Sequence, residues 1–234
     1  GITGTPMGDL WILRPDFVPT GVQPGQLEDW YQTARDNNPE IRAQRKAYEM
    51  ASLEVNRSRA GHMPQLDFVA RATRSDNETI STLNQKTAVT AVGVQLNFPL
   101  FAGGRVLALT GQAVANRERT QAELDATVNE VLVEVKRQFM AVETGVSKVA
   151  AYEKAVDASL VAAEGTMRGM AAGIRTNTDV LDAERQMFVA KRDLAQARYE
   201  FLVSILQLKT AAGVLSEKDV AEIASLLLPR SERL

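Results

Sequence analysis

No proline interrupts the sequence between Leu100 and Pro229, and this stretch carries an almost unbroken helical period. Apolar residues recur as Leu124, Val128, Val131, Val135, Phe139, Val142, Val146, Val149, Tyr152, Val156, Leu160, Ala163 and Met167. Each step is three or four residues, with a mean of about 3.6, the period of a straight α-helix. A second seam reads Val180, Ala183, Met187, Ala190, Leu194, Ala197, Phe201, Ile205, Leu208 and Ala212. It alternates steps of three and four almost strictly, as a coiled coil does. The spacing predicts two long antiparallel helices joined near Gly173. A helix from Gly104 to about Met170 would be roughly 100 Å long at about 1.5 Å per residue. That exceeds the width of any compact domain of this size, so the chain is expected to belong to a rod, a bundle or a large assembly.

Composition narrows the function. The 234 residues are 45% hydrophobic but only 6% aromatic, and small aliphatic side chains suit packed helices. The net charge is -2, with Lys and Arg mixed among Asp and Glu. No basic block suggests nucleic acid. Cysteine is absent, which excludes disulfides, thiol catalysis and thiolate metal sites and is compatible with an oxidising compartment. No run of eighteen apolar residues predicts a transmembrane helix, which leaves a membrane β-barrel open. The chain opens on Gly-Ile-Thr without a signal peptide, and is expected to be a processed product or a piece of something longer.

Ahead of the long helices the pattern changes twice. Residues 1–25 are rich in Gly and Pro, and predict an extended lead-in along a surface through Trp11, Ile12, Leu13 and Phe17. A helix is expected from about Gln26, broken at Asn37-Asn38-Pro39. Asn38 then caps a second helix that runs to about Ala60, ended by Gly61 and Pro64. From Leu66 the period becomes two. Leu66, Phe68, Ala70 and Ala72 share one face of a strand through Arg74; after a polar loop over 75–86, Val92, Val94, Leu96 and Phe98 share one face of a second. Two strands alone are marginal in water, so this hairpin needs others. Pro99 closes it, and Gly103-Gly104 turns into the long helix. A last helix is expected over about 216–228, with Ser216 and Asp219 at capping-box spacing and Pro229 as its stop.

Several residues invite a functional reading beside a plain one. Asp179 and Asp182 share a helix face near its start. They either favour the helix dipole, with Asn177 or Thr178 as cap, or form carboxylate rings around a symmetry axis. Such rings select cations in pores, and crowding would raise the carboxylate pKa values. Gly165, Gly169 and Gly173 either admit another backbone or loosen the helix end; Gly111 and Gly145 have no account in the sequence. A second apolar line on the last long helix, Leu181, Phe188, Tyr199, Leu202 and Leu206, suits neighbours on both sides or burial in an ordinary bundle. His62, the only histidine, reads as structural. No Ser-His-Asp set, phosphate loop or zinc spacing points to an enzyme, and no cofactor is expected.

The motifs, taken in order, resemble one structural repeat of the TolC-type outer-membrane efflux proteins. Asn38-Pro39-Glu40-Ile41 is similar to the family's helix start, and Gly61-His62-Met63-Pro64-Gln65-Leu66-Asp67 to its helix-to-strand junction. Phe98-Pro99-Leu100-Phe101-Ala102-Gly103-Gly104 resembles the strand-to-helix junction. Gly173-Ile174-Arg175-Thr176 with Asp179-Val180-Leu181-Asp182-Ala183 resembles the tip of the inner helix pair, and Ala197-Arg198-Tyr199 with Ala212-Gly213 the returning helix. The resemblance covers nearly all of 26–228.

That likeness implies a mainly α fold: long antiparallel coiled-coil helices forming an α-barrel segment, with an inserted β-hairpin in a transmembrane β-barrel. It implies an equatorial lead-in at 1–25, helices leading to the barrel at 26–60 and barrel strands at 61–102. The periplasmic helical hairpin would span 103–212, with its tip near 168–182, and an equatorial helix and tail 213–234. The full-length protein would be a homotrimer in the outer membrane, facing lipid through Val92, Val94, Leu96 and Phe98. It would passively export small molecules or type I secreted proteins together with a periplasmic adaptor and an inner-membrane transporter. The family's gate maps to Asp179, Asp182 and Arg175, with a possible cation site at the two aspartates. Met170 stands where the best-known member has a gate tyrosine, so the lock is expected to be weaker or built differently. Pro64, Pro99, Gly103 and Gly104 mark the junctions. One repeat implies the C-terminal half of a longer protein. A periplasmic adaptor, or a soluble coiled-coil scaffold without a pore, is the alternative; the scaffold leaves 66–98 unexplained.

Overall fold

A computed structural model describes residues 12–14, 17–77 and 85–228. Trp11, most of the expected loop and Pro229 lie outside the described residues. The elements, in order, are β1 (Ile12–Leu13), α1 (Leu27–Asn37), α2 (Pro39–Arg59), β2 (Gln65–Asn77), β3 (Gln85–Asn97), α3 (Arg105–Ala171), α4 (Asn177–Ala211), α5 (Glu217–Ser225) and β4 (Leu227–Leu228). The fold is mainly helical, and the expected long helix is a single element of 67 residues. Two compact units divide the chain, residues 1–43 with 125–234, and residues 44–124.

In the first unit the predicted seams form the core. Val131, Val135, Phe139, Val142, Val149 and Ala163 of α3 are buried, as are Val180, Ala197, Phe201 and Leu208 of α4 and Ala212 just beyond it. Ion pairs cross between the helices: Lys148 donates to Glu200 and Arg198 to Glu153, both at 2.7 Å. Gly145, unexplained in the sequence, lies on α3 just before these pairs. A Cβ there would come within 2.9 Å of the Phe201 ring, so this glycine is the seat for that ring. On its other side Phe201 meets Phe17, with ring centroids 6.1 Å apart.

The second apolar line on α4 divides. Leu202 is buried and Leu206 half-buried; both line a hollow shared with Phe17 and Val22 of the lead-in and Ile223 of α5. The Tyr199 hydroxyl accepts from the Leu13 backbone N–H at 3.0 Å. Leu181 and Phe188, nearer the tip, stay 58% and 63% exposed.

The break between α1 and α2 is held by Asn38, only 5% exposed. Its Oδ1 accepts from the backbone N–H groups of Glu40 and Ile41, which caps α2. Its Nδ2 donates to the Ala211 carbonyl at 2.8 Å, an otherwise orphaned acceptor at the end of α4. Gly213, at φ +73°, completes that end; a Cβ there would lie 2.6 Å from the Asn37 carbonyl oxygen. The last helix is shorter than the sequence predicts. It ends at Ser225, because Leu227 and Leu228 pair with Leu13 and Ile12 as a small antiparallel sheet. Asp219 accepts from the Ser216 backbone N–H at 2.7 Å and from Lys209 at 2.5 Å, tying α5 to α4.

In the second unit, Ala51 and Val55 of α2 are buried, as are Val106 and Ala113 of α3. A short 3-10 turn at Ala60–His62 leads into the hairpin. The strands are longer than predicted: Ser75 and Asp76 pair with Thr87 and Lys86 instead of joining the loop. Leu66–Leu96, Phe68–Val94 and Ala70–Val92 are cross-strand partners on one face. Among the described residues nothing covers that face: Leu66, Phe68, Val92, Val94 and Leu96 are 67–73% exposed. Among the described residues no helix is long and apolar enough to cross a membrane.

Two substitutions test the packing of the first unit. Asn38→Ala is expected to cost about 2 kcal/mol, the upper range for a helix cap, since it also orphans the Ala211 carbonyl; Asn38→Asp keeps the cap acceptor and loses less. Gly145→Ala should lose about 1–3 kcal/mol by overpacking, partly regained with Phe201→Leu. Thermal unfolding of each variant against wild type reads both.

Candidate functional site

The tip of the helical hairpin gathers the residues singled out in the sequence. Helix α3 closes with a Schellman turn: the Ile174 N–H donates to the Gly169 carbonyl, and the Gly173 N–H to the Met170 carbonyl, both at 2.9 Å. Gly173 takes φ +75°, a conformation that a side chain would resist. Arg175 then folds back over α3. Its Cγ lies 2.8 Å from where a Cβ on Gly169 would stand, so Gly169 makes room for the arginine stem. A Cβ on Gly165 would meet nothing within 4 Å. The three glycines at four-residue spacing therefore have three different settings, and none of them admits a second backbone in this chain.

Helix α4 starts with a capping box whose N-cap is Thr176, one residue before the expected Asn177 or Thr178. The Asp179 N–H donates to Thr176 Oγ1 at 3.2 Å, and the Thr176 N–H donates to Asp179 Oδ2 at 2.9 Å. The Thr-x-x-Asp spacing was the signal in the sequence that identifies this cap. Hydrogen bonding of the carboxylate to the Thr176 backbone N–H and then to the Thr176 hydroxyl, with a smaller contribution from the nearby Arg175 charge, holds the Asp179 carboxyl below the ordinary aspartate range. In the single chain, cap bonding lowers this pKa, opposite in sign to the effect expected of crowded carboxylates.

Asp182 lies one turn on, exposed. Between the two aspartates Val180 is buried and Leu181 exposed. Ile174 is 80% exposed, and the Met170 side chain is partly exposed on the last turn of α3. The structure therefore brings Met170, Arg175 and Asp179 together around the turn, with Asp182 on the adjoining face of α4. Among the described residues no group of three or more carboxylates or histidines is placed to hold a metal ion.

The junction residues sit where the chain changes direction. Pro64 precedes the first residue of β2, and Pro99 follows the end of β3. Gly103 and Gly104 take φ +56° and +82°, and the Gly104 carbonyl accepts from the Ala108 N–H at 3.0 Å, which opens α3.

A long helical pair closed by a capped tip is preceded in the chain by a β-hairpin with an exposed apolar face. The chain belongs to the outer membrane efflux protein family, whose sequence profile matches residues 30–214. It is 34% identical over 220 residues to the alkaline protease secretion protein AprF of Pseudomonas aeruginosa, covering 94% of this chain and 44% of that protein. It is 35% identical over 218 residues to the proteases secretion protein PrtF of Dickeya chrysanthemi, covering 93% and 47%. Among solved structures, a membrane protein from Pseudomonas aeruginosa superposes with a TM-score of 0.66 at 20% identity, covering 97% of this chain and 51% of that one. The chain thus spans about half the length of the relatives it matches. The family description is that of an outer membrane efflux protein.

The cap at Asp179 makes a prediction about pH. A group with a lowered folded-state pKa contributes its stability fully above the unfolded value and loses it as pH falls through the folded value. The start of α4 should therefore stay capped well into the acid range. Titration of the Asp179 carboxyl carbon by NMR is expected to give a midpoint below that of an exposed aspartate, moved upward by Thr176→Val. A midpoint above the ordinary value in the assembled protein would show that carboxylate crowding outweighs the cap.

Proposed function

We propose that this chain is half of a protomer in a trimeric outer-membrane channel that passively exports cargo delivered from the periplasmic side. The observation that carries this reading is the uncovered apolar face of the β2–β3 hairpin. Each strand has 13 residues, more than the roughly 9–11 that a tilted transmembrane strand needs. The exposed apolar rows on that face are costly in water and favourable in lipid. The opposite face, with Asp67, Arg71 and Thr73 against Gln95, Ala91 and Val89, suits a wet lumen.

Helices α3 and α4 would line the periplasmic duct. Their exposed lower flank, with Leu181 and Phe188, would pack on neighbouring helices of the assembly. The tip would be the gate: Asp182 points its charge into the constriction, Arg175 holds the turn closed, and Asp179 both caps α4 and adds to the ring. Met170 offers an apolar contact but no hydroxyl, so closure rests more on Arg175. A periplasmic adaptor and an inner-membrane transporter would open the tip. The protease-secretion relatives favour a secreted protein as cargo, with small molecules as the second possibility.

Planar-bilayer recording of the full-length protein tests this. Wild type is expected to form small cation-selective channels blocked by divalent cations. Asp182→Ala should weaken the block by about tenfold or more, as removing a ring of charges from a pore would, and the Asp179→Ala, Asp182→Ala double variant should abolish it. Channels in which the variants match wild type would sink the gate assignment; properly folded protein without channels would favour an adaptor or scaffold.

A further inference from the structure

The outward face of the hairpin changes chemistry at its far end. The pairing of β2 with β3 runs regularly from Gln65 opposite Asn97 to Asn77 opposite Gln85, so alternate residues keep to one face throughout. The apolar rows end at Ala72 opposite Thr90. The next rows on that face are Arg74 opposite Ala88, then Asp76 opposite Lys86. From the Leu66 row to the Ala72 row is about 20 Å at about 3.4 Å per residue, or about 15 Å in height at a strand tilt of about 45°. Phe98, beyond the strand, lengthens the band at the other end. Arg74 therefore falls near the outer limit of a lipid-facing band about 25 Å tall, where a cation is tolerated.

Two features set Arg74 apart. Lys86 is engaged by Asp76 at 3.0 Å, whereas Arg74 has no hydrogen-bond or ion-pair partner among the described residues. Arg74 also helps line a hollow of about 170 Å³, together with Ala72, Thr73, Ala88, Val89 and Thr90, whose side chains are short.

We propose that Arg74 and this hollow seat the phosphate of a phosphorylated glycolipid headgroup in the outer leaflet. A planar guanidinium fork matches phosphate oxygens in a way that a lysine ammonium does not. Asp76 sharpens the choice by neutralising Lys86, which leaves one directed cation at the band's edge. The inference rests on the barrel reading above and adds to it the chemistry of the lipid at one position.

The test uses the full-length protein in phosphatidylcholine nanodiscs carrying either diphosphoryl lipid A or the same lipid without its phosphates. Native mass spectrometry counts the glycolipid retained. Wild type is expected to retain the phosphorylated form preferentially. Arg74→Gln should cut that retention roughly fivefold, and Arg74→Lys should restore part of it, as expected for a charge-assisted, fork-shaped contact. Equal retention by wild type and Arg74→Gln overturns the proposal. Displacement of the lipid by excess inorganic phosphate also overturns it, in favour of a free-anion site. A spin label at Val94→Cys separates the two levels. If Val94 lies in lipid and Arg74→Gln has no effect, only the headgroup site fails; if Val94 lies in water, the barrel reading fails and this one with it.

Discussion

The end of a helix cannot satisfy its own backbone, and this chain meets that constraint chiefly by making one helix end serve another. Asn38 sits where α4 finishes and α2 begins. One side of its amide caps the new helix, and the other takes up the last carbonyl of the old one. Gly213 brings the two backbones too close for any side chain. The two helix ends, distant in sequence, are thereby fixed to each other by groups that have nowhere else to go. The tip uses the same economy: Thr176 and Asp179 exchange hydrogen bonds at the start of α4, and Gly173 closes α3 only three residues before Thr176.

Above and below, α3 and α4 hold together differently. Near Gly145 the Phe201 ring, Phe17 and two interhelical ion pairs make a dense crossing. Towards the tip, fewer seam residues are fully buried, and Leu181 and Phe188 are uncovered. The surface ion pairs contribute little by themselves at these exposures; their value is to fix the register of the helices beside the ring. That difference between the two ends supports the gate proposed above at the tip.

Much of this was legible in the sequence. The helix seams, the Asn38 cap and the alternating face of the hairpin each depend on neighbours within a few residues, and periodicity reports those directly. What escaped depends on partners far along the chain. Gly145 is explained only by Phe201, 56 residues later. The last helix stops early because Leu227 and Leu228 find Leu13 and Ile12. The Gly165, Gly169 and Gly173 spacing looked like one motif because a period carries no record of what lies opposite each position. The α4 cap fell at Thr176 because the Asp three residues on reciprocates its bonds, a signal present but overlooked. The family resemblance identified the tip residues, while the structure added that Asp179 has a local duty that Asp182 lacks.

Among the described residues each strand of the hairpin has one partner edge. The outer N–H and C=O groups of both β2 and β3 have no described strand beside them, and lipid would offer them no water. Such a ribbon cannot enter a bilayer by itself, whatever its apolar face favours. On the barrel reading proposed above, insertion would wait until other ribbons stand alongside, and folding of the helical part would be separated in time from entry into the membrane. Assembly would then be the step that commits the chain to the bilayer.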